Sequence, residues 1–309
     1  MMDATYLAIV STGLRLSVPL IFAALGGIWS ERAGVFNLAL EGSLLCGAFG
    51  AALGSFYFHS AWAGLAVGLF AAGLTGLLLA VMTVWLSINQ MVAGIAINMF
   101  AIGITAFLSR IVFSGQGASD SLTGFSTFAI PGLSSIPIVG NLLFNQDFLV
   151  YLMYALVPLA WWLLFHTSWG LNLRATGEYP RAVDSAGLSV FGIRFISVVG
   201  SGVIAGLGGC YLVLSQVFIF TEHMSAGKGF IALAALILGR WHPIGAVAAC
   251  LLFGLADALQ LRLQFSHPDV PYQLFVVLPY VASIGALIIF AGKIRPPAAA
   301  GEHYQRGGK

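Results

Sequence analysis

Residues 42 to 109 run without a single Asp, Glu, Lys or Arg, and most positions in the run are apolar or small. A helix needs about 20 apolar residues to cross a ~30 Å hydrocarbon core, so this stretch alone holds nearly three crossings. Further charge-free runs cover 148–173, 195–221 and 270–292. Each is long enough for one span whose backbone hydrogen bonds close internally as a helix. Apolar length, read against charges and turn residues, predicts spans near 6–29, 35–57, 61–86, 91–113, 148–168, 195–215, 228–240, 244–262 and 271–291. The expected fold is therefore all-α, a polytopic transmembrane helical bundle of about nine spans. The span at 228–240 is short, and its approach from about residue 217 reads as re-entrant, an arrangement tolerated only against protein.

Composition agrees with a lipid solvent: 59% of the 309 residues are hydrophobic and 8% charged, against roughly a quarter charged in a soluble domain. Basic residues concentrate on the cytoplasmic side of membrane proteins. With the N-terminus outside and the C-terminus inside, Arg32, Arg174, Arg181, Arg194, Arg240, Lys293, Arg295, Arg306 and Lys309 all fall inside, nine of the 13 basic residues. This topology predicts a multi-pass protein of the cell inner membrane. It comprises a transmembrane domain over 1–292, with an external loop at 114–147 and a charged cytoplasmic loop at 169–194, followed by a cytoplasmic tail at 293–309. Cys46, Cys210 and Cys250, odd in number and set in apolar segments, read as packed thiols. Gly50 with Gly54, Gly64 with Gly68 and Gly202 with Gly206 have the four-residue spacing that lets helices approach closely.

Polar side chains inside spans are the functional candidates. In ERAGVFNLALEG, residues 31–42, Asn37 and Glu41 stand four apart in an otherwise apolar stretch, and so share a helix face. They either line a solute route at a broken helix or staple helices together by hydrogen bonds. Asn89, Gln90 and Asn98 in NQMVAGIAINM carry the same two readings. Lys228 either attracts solute or snorkels to the interface. The substrate-pathway candidates are thus Asn37, Glu41, Asn98, Asn89 and Lys228. The loop at 170–190 differs in kind: Pro180 suits the first turn of a short helix and Glu178 its N-terminus, with Arg181 and Asp184 on its surface. Such a helix between two spans suits docking on a cytosolic partner better than mere connection.

The triplet Gly227, Lys228, Gly229 lacks the spacing and the Ser or Thr of a phosphate loop. No metalloprotease or nucleophile-elbow motif occurs, so no catalytic residue and no metal ligand is expected. Asp257, inside a span, would be a proton carrier if the protein were an ion-coupled secondary transporter, with Glu41 as the other candidate.

At these segments the chain resembles the permease subunits of ABC importers in the nucleoside and simple-sugar group, relatives of the ribose and branched-chain amino acid permeases. The likeness spans roughly residues 14–304. Glu31, Arg32, Gly34, Val35, Asn37, Glu41 and Gly42 match one family signature. Arg174, Gly177, Glu178, Pro180, Arg181, Ala182 and Gly187 match the family's coupling loop. Residues 225–247 and the tail from Pro296 and Pro297 to Tyr304 are similar to the nucleoside-type subgroup, while Tyr179, Ala33, Leu38 and Ala39 depart from it. The resemblance implies import of nucleosides, or of ribose-like sugars, through a helical path in the bilayer. It implies no cofactor in this chain, with ATP-Mg held by an ABC ATPase subunit. The implied partners are that ATPase, a second related permease and a periplasmic or lipoprotein solute-binding protein, with no nucleic acid. Arg174, Gly177, Glu178, Pro180, Arg181 and Ala182 would then seat the coupling helix in the ATPase.

Overall fold

A computed structural model describes residues 2–113, 117–132, 134, 139–266, 271–277, 281, 284–285, 288 and 295–304. Residues 278–280, 282–283, 286–287 and 289–291 of the expected span at 271–291, together with Lys293, Arg306 and Lys309, lie outside the described residues. The helices are α1 (Met2–Arg32), α2 (Leu40–Phe58), α3 (Ala61–Ala80), α4 (Gln90–Val112), α5 (Val139–Leu143), α6 (Phe148–His166), α7 (Ser168–Glu178), α8 (Pro180–Ser185), α9 (Val190–Tyr211), α10 (Lys228–Leu238), α11 (Pro243–Ser266) and α12 (Tyr272–Val276). Two-residue strands β1 (Phe128–Ala129) and β2 (Asn145–Gln146) pair antiparallel. Wide π-helical turns extend α3 through Val81–Trp85 and α9 through Leu212–Val217.

Among the described residues six helices are long and apolar enough to cross a membrane: Tyr6–Arg32, Ala61–Trp85, Gln90–Val112, Phe148–His166, Val190–Val217 and Pro243–Ser266. The chain is a multi-pass helical membrane protein. Polar residues set the starts of several helices: Asn89, Asp147, Thr167 and Ser189 each accept from amides of the first turn, beginning α4, α6, α7 and α9.

At the centre stands α2, buried along nearly its whole length and packed mainly against α3 and α9. Its small residues make this possible. A β-carbon on Gly54 would come within 2.6 Å of the Ala63 carbonyl and 2.8 Å of Gly64 Cα, and one on Gly47 within 2.7 Å of the Gly206 carbonyl. On the far side of α3, a β-carbon on Gly202 would lie 2.7 Å from Gly76 Cα. In lipid, where apolar side chains gain little by leaving the solvent, such close backbone contact is what holds helices together.

Of the two readings of residues 31–42 the backbone has the broken path, and Asn37 lies in the non-helical part, so it does not share a helix face with Glu41. Helix α1 ends at Arg32, a non-helical link follows, and α2 starts at Leu40, so a helix running unbroken from residue 35 is not formed. The short α10, at 11 residues, bears out the expectation of a helix too short to cross alone. Two features were not anticipated. Residues 117–125 run alongside 214–222, with Ser119, Leu122 and Phe125 amides donating to the carbonyls of Phe220, Phe218 and Leu214 at 2.7–3.0 Å; Arg110 and Glu222 close this flank with two bonds of 2.7 and 3.0 Å. The 169–194 loop carries an additional helix, α7, ahead of α8.

Replacing Gly209 by Val tests the packing account, because any β-carbon there overlaps the Leu44 carbonyl. The expected cost is about 1–3 kcal/mol or more, read as a lower thermal midpoint in detergent, whereas Gly103→Ala, with nothing within 4 Å, should leave the midpoint unchanged.

Candidate functional site

The link between α1 and α2 is a stretch of buried, non-helical backbone inside a membrane protein, so each of its polar groups needs a protein partner. Those partners are largely the amides and carboxyls that stand out in the sequence. Ser30 Oγ donates to the Val35 carbonyl at 2.8 Å. The Phe36 amide donates to Gln90 Oε1 at 2.7 Å. Asn37 accepts from the Ala39 amide at 3.0 Å and donates to Ser201 Oγ at 2.7 Å. Asn98 spans the restart of the helix, donating to the Leu38 carbonyl and accepting from the Gly42 amide, both at 2.8 Å.

Glu41, in the first turn of α2, faces the start of α10. One of its oxygens accepts from Ser225 Oγ at 2.6 Å and the Gly227 amide at 2.8 Å, and the other accepts from the Gly229 amide at 2.6 Å. A carboxylate at the first turn of a helix complements that helix's dipole and satisfies amide donors that the helix itself cannot. The geometry requires Gly229, since a β-carbon there would meet the backbone of Glu41. Gly227 has φ +80, a conformation that glycine adopts without strain.

A second cluster locks the end of α1. The Trp241 indole donates to the wholly buried Glu31 carboxyl, and Arg32 Nε donates to the Trp241 carbonyl at 3.0 Å. Arg240 and Trp241 both have positive φ, 58 and 52, so Glu31 and Arg32 grip a left-handed turn between α10 and α11. Burial, and then the charge of Arg32, hold His242 in this turn below the usual histidine range.

Asn37, Glu41 and Asn98 are thus gathered around one break, together with Gln90, Ser201, Ser225 and Gly229. Lys228 sits between Gly227 and Gly229 at the start of α10, near enough to Asp257 for its charge to act on that carboxyl. Asn89 stands apart, exposed, as the cap of α4, accepting from Met91 and Val92 amides at 3.0 and 3.3 Å.

The coupling-loop candidates divide. Pro180 is the first residue of α8, as expected, and Arg181 and Ala182 are exposed on it. Glu178 does not begin that helix; it ends α7, and its carboxylate accepts from the Ala298 amide at 3.2 Å. Gly177 packs on the Arg32 carbonyl with no room for a side chain. Arg174 lies over the Phe165 ring, 4.9 Å from its centroid.

The tail joins these parts. The Ala299 amide donates to the Gly177 carbonyl at 2.8 Å, the Gly301 amide to the Gly34 carbonyl at 3.3 Å, and Arg194 Nη1 to the Glu302 carbonyl at 2.7 Å. Residues 295–304 therefore strap the end of α7, the break and the start of α9 together.

The family model described as "Branched-chain amino acid transport system / permease component" matches residues 9–290. The chain is 38% identical over 309 residues to the guanosine ABC transporter permease protein NupQ of Bacillus subtilis, covering 97% of both chains. It is 37% identical to the nucleoside ABC transporter permease protein NupC of Lactococcus lactis, covering 96% of both. It is 34% identical to a putative glucose ABC transporter permease protein, TsgC13, of Haloferax volcanii, over 83% of this chain and 78% of that one. No solved structure matches.

Removing the Glu41 carboxylate tests whether this network holds the break. Glu41→Ala leaves three donors without their acceptor, each costing about 1–3 kcal/mol if water does not replace it. Thermal unfolding in detergent should show the largest drop for Glu41→Ala, a smaller one for Asn98→Ala, and almost none for Asn89→Ala at the exposed cap.

Proposed function

The chain belongs to the permease family of branched-chain amino acid transport systems, and from that premise we propose that it is the membrane-spanning subunit of an ATP-driven importer of nucleosides. The observation that carries this reading is the exposed helix α8, presented on a loop whose other residues are tied to the break in the membrane. The cargo follows the relatives named as guanosine and nucleoside permeases, similar to this chain along nearly its whole length. The likeness to a putative glucose permease makes a simple sugar the second reading of the same machine.

In this account the chain crosses the inner membrane nine times, N-terminus outside and C-terminus inside, and pairs with a second, related permease around a central path. An ABC ATPase binds and hydrolyses ATP-Mg, and a periplasmic or lipoprotein binding protein delivers the solute. Arg181 and Ala182 meet the ATPase, while Pro180 starts the helix that carries them. Arg174, Gly177 and Glu178 hold that helix to the rest of the subunit. Closure of the ATPases shifts α8, and the contacts of Gly177 with Arg32 and of the tail with Gly34 carry the shift to the break. Two discrete packings related by such rigid movement are the usual basis of switching access. In the alternate packing Asn37, Glu41 and Asn98 exchange partners and offer transient hydrogen bonds to hydroxyls or a base, with Lys228 beside Glu41 at the start of α10 and Asn89 nearer an end of the route.

The test is uptake of labelled guanosine and ribose into proteoliposomes holding this chain, its co-purified partners and the binding protein. MgATP-dependent guanosine uptake is expected, and Arg181→Glu should lower it by about tenfold, equivalent to roughly 1.4 kcal/mol, with normal membrane insertion. Sugar-only uptake would change the cargo; uptake driven by a proton gradient without ATP would replace the mechanism by ion coupling.

A further inference from the structure

Two cationic side chains from separate helices meet at the Phe165 ring near the C-terminal end of α6, and a third basic residue lies in the adjoining turn. Arg174 of α7 lies 4.9 Å from the centroid of the Phe165 ring and Arg32 of α1 lies 6.0 Å from it. Arg240 is exposed in the turn after α10, where its carbonyl accepts from Arg32 at 3.4 Å. The ring of His242, from the same turn, stands 5.0 Å from that of Phe165.

This positive charge has little compensation. Glu31 is wholly buried and turned to Trp241. The charge of Glu178 acts on Arg32, while its carboxylate also accepts from the Ala298 amide. Neither forms an ion pair with these arginines; among the described residues the ion pair is Arg110 with Glu222. Arg174 Nε is buried without a hydrogen-bond partner, although guanidinium N–H groups are strong donors that seldom go unpaired when buried.

The surroundings are apolar and open. Trp162 precedes Phe165 by three residues on α6, and Leu171 precedes Arg174 by three on α7, so each lies on the same face as its neighbour. They are 51% and 58% exposed. Trp161, Trp162 and Trp169 lie close together in the sequence around the end of α6, a position that tryptophan favours at a membrane surface.

We propose that Arg174, Arg32 and Arg240 form a binding site for the phosphate of an anionic phospholipid, whose acyl chain lies along Trp162 and Leu171. Guanidinium groups suit phosphate because their fork of N–H donors matches its oxygens, and basic pockets between spanning helices are where such headgroups are held. A phospholipid fits better than a soluble phosphate because the cationic centre adjoins exposed apolar side chains at the end of a spanning helix. The site does not depend on the solute carried. It would fix α7, and with it the loop bearing α8, to the bilayer surface.

The test uses the purified full chain in detergent with phosphatidylglycerol or phosphatidylcholine carrying brominated acyl chains, which quench nearby tryptophan fluorescence. Stronger quenching by phosphatidylglycerol is expected, and Arg174→Gln should weaken that preference by about fivefold, the usual effect of one arginine at a charged membrane surface. Arg240→Gln, a change at an exposed side chain, should act in the same direction and guards against misfolding of the first variant. Arg262→Gln, on the exposed end of α11, should leave the preference unchanged. Equal quenching by both lipids, full preference in the Arg174 and Arg240 variants, or an equal loss in the Arg262 variant would overturn the proposal. Displacement of phosphatidylglycerol by millimolar inorganic phosphate would reassign the site to a soluble anion. Loss of ATPase association in Arg174→Gln with lipid preference intact would reassign it to the protein partner.

Discussion

The carboxylate of Glu41 is the constraint on which the arrangement turns. It joins the restart of one broken helix to the start of another, accepting from one hydroxyl and two backbone amides. In a hydrocarbon surround a helix end with unpaired amides costs several kcal/mol per group. A chain that interrupts α1–α2 and begins α10 within the membrane region must therefore bring the two ends together or cap them elsewhere. Here Glu41, from the first turn of α2, caps the start of α10, Asn98 accepts from the Gly42 amide at the restart of α2, and Asn37 and Gln90 accept from the Ala39 and Phe36 amides of the link.

From this joint outward the structure is a chain of rigid attachments. Glu31 and Arg32 hold the turn after α10 through Trp241, Gly177 sets the coupling loop on the end of α1, and the tail ties Gly34, Gly177 and Arg194 into one unit. The exposed helix and the polar joint are thus linked by consecutive contacts, while the glycine-lined contacts of α2 with α3 and α9 bring backbones close together.

Much of this was legible in the residues. Charge-free runs marked four of the six membrane-length helices, because lipid excludes charge, while Tyr6–Arg32 and Pro243–Ser266 carry charges and were read from apolar length; the polar residues at 37, 41 and 98 stood out against an apolar background. Pro180 marked the start of α8. The partners were not legible, since Glu41 bonds to residues 184, 186 and 188 positions away, two of them through backbone amides that carry no side-chain signature. The tail stood out by its resemblance from Pro296 to Tyr304, but its docking was not legible for the same reason: Ala298, Ala299 and Gly301 bond through their amides, and nothing periodic in their sequence distinguishes them from a free extension. Glu178 was misplaced by one element because α7 is short, Gly-containing and weakly apolar, so its helical character depends on the Thr167 cap and on packing rather than on pattern.

Hydrogen–deuterium exchange of the unmodified protein in nanodiscs, resolved over residues 33–42 and 225–230, tests the central claim most directly. If the break is a hydrogen-bonded joint, the amides of Phe36, Gly42, Gly227 and Gly229 should exchange as slowly as those of the adjoining helices. Exchange at the rate of an open loop, with the adjoining helices still protected, would contradict it.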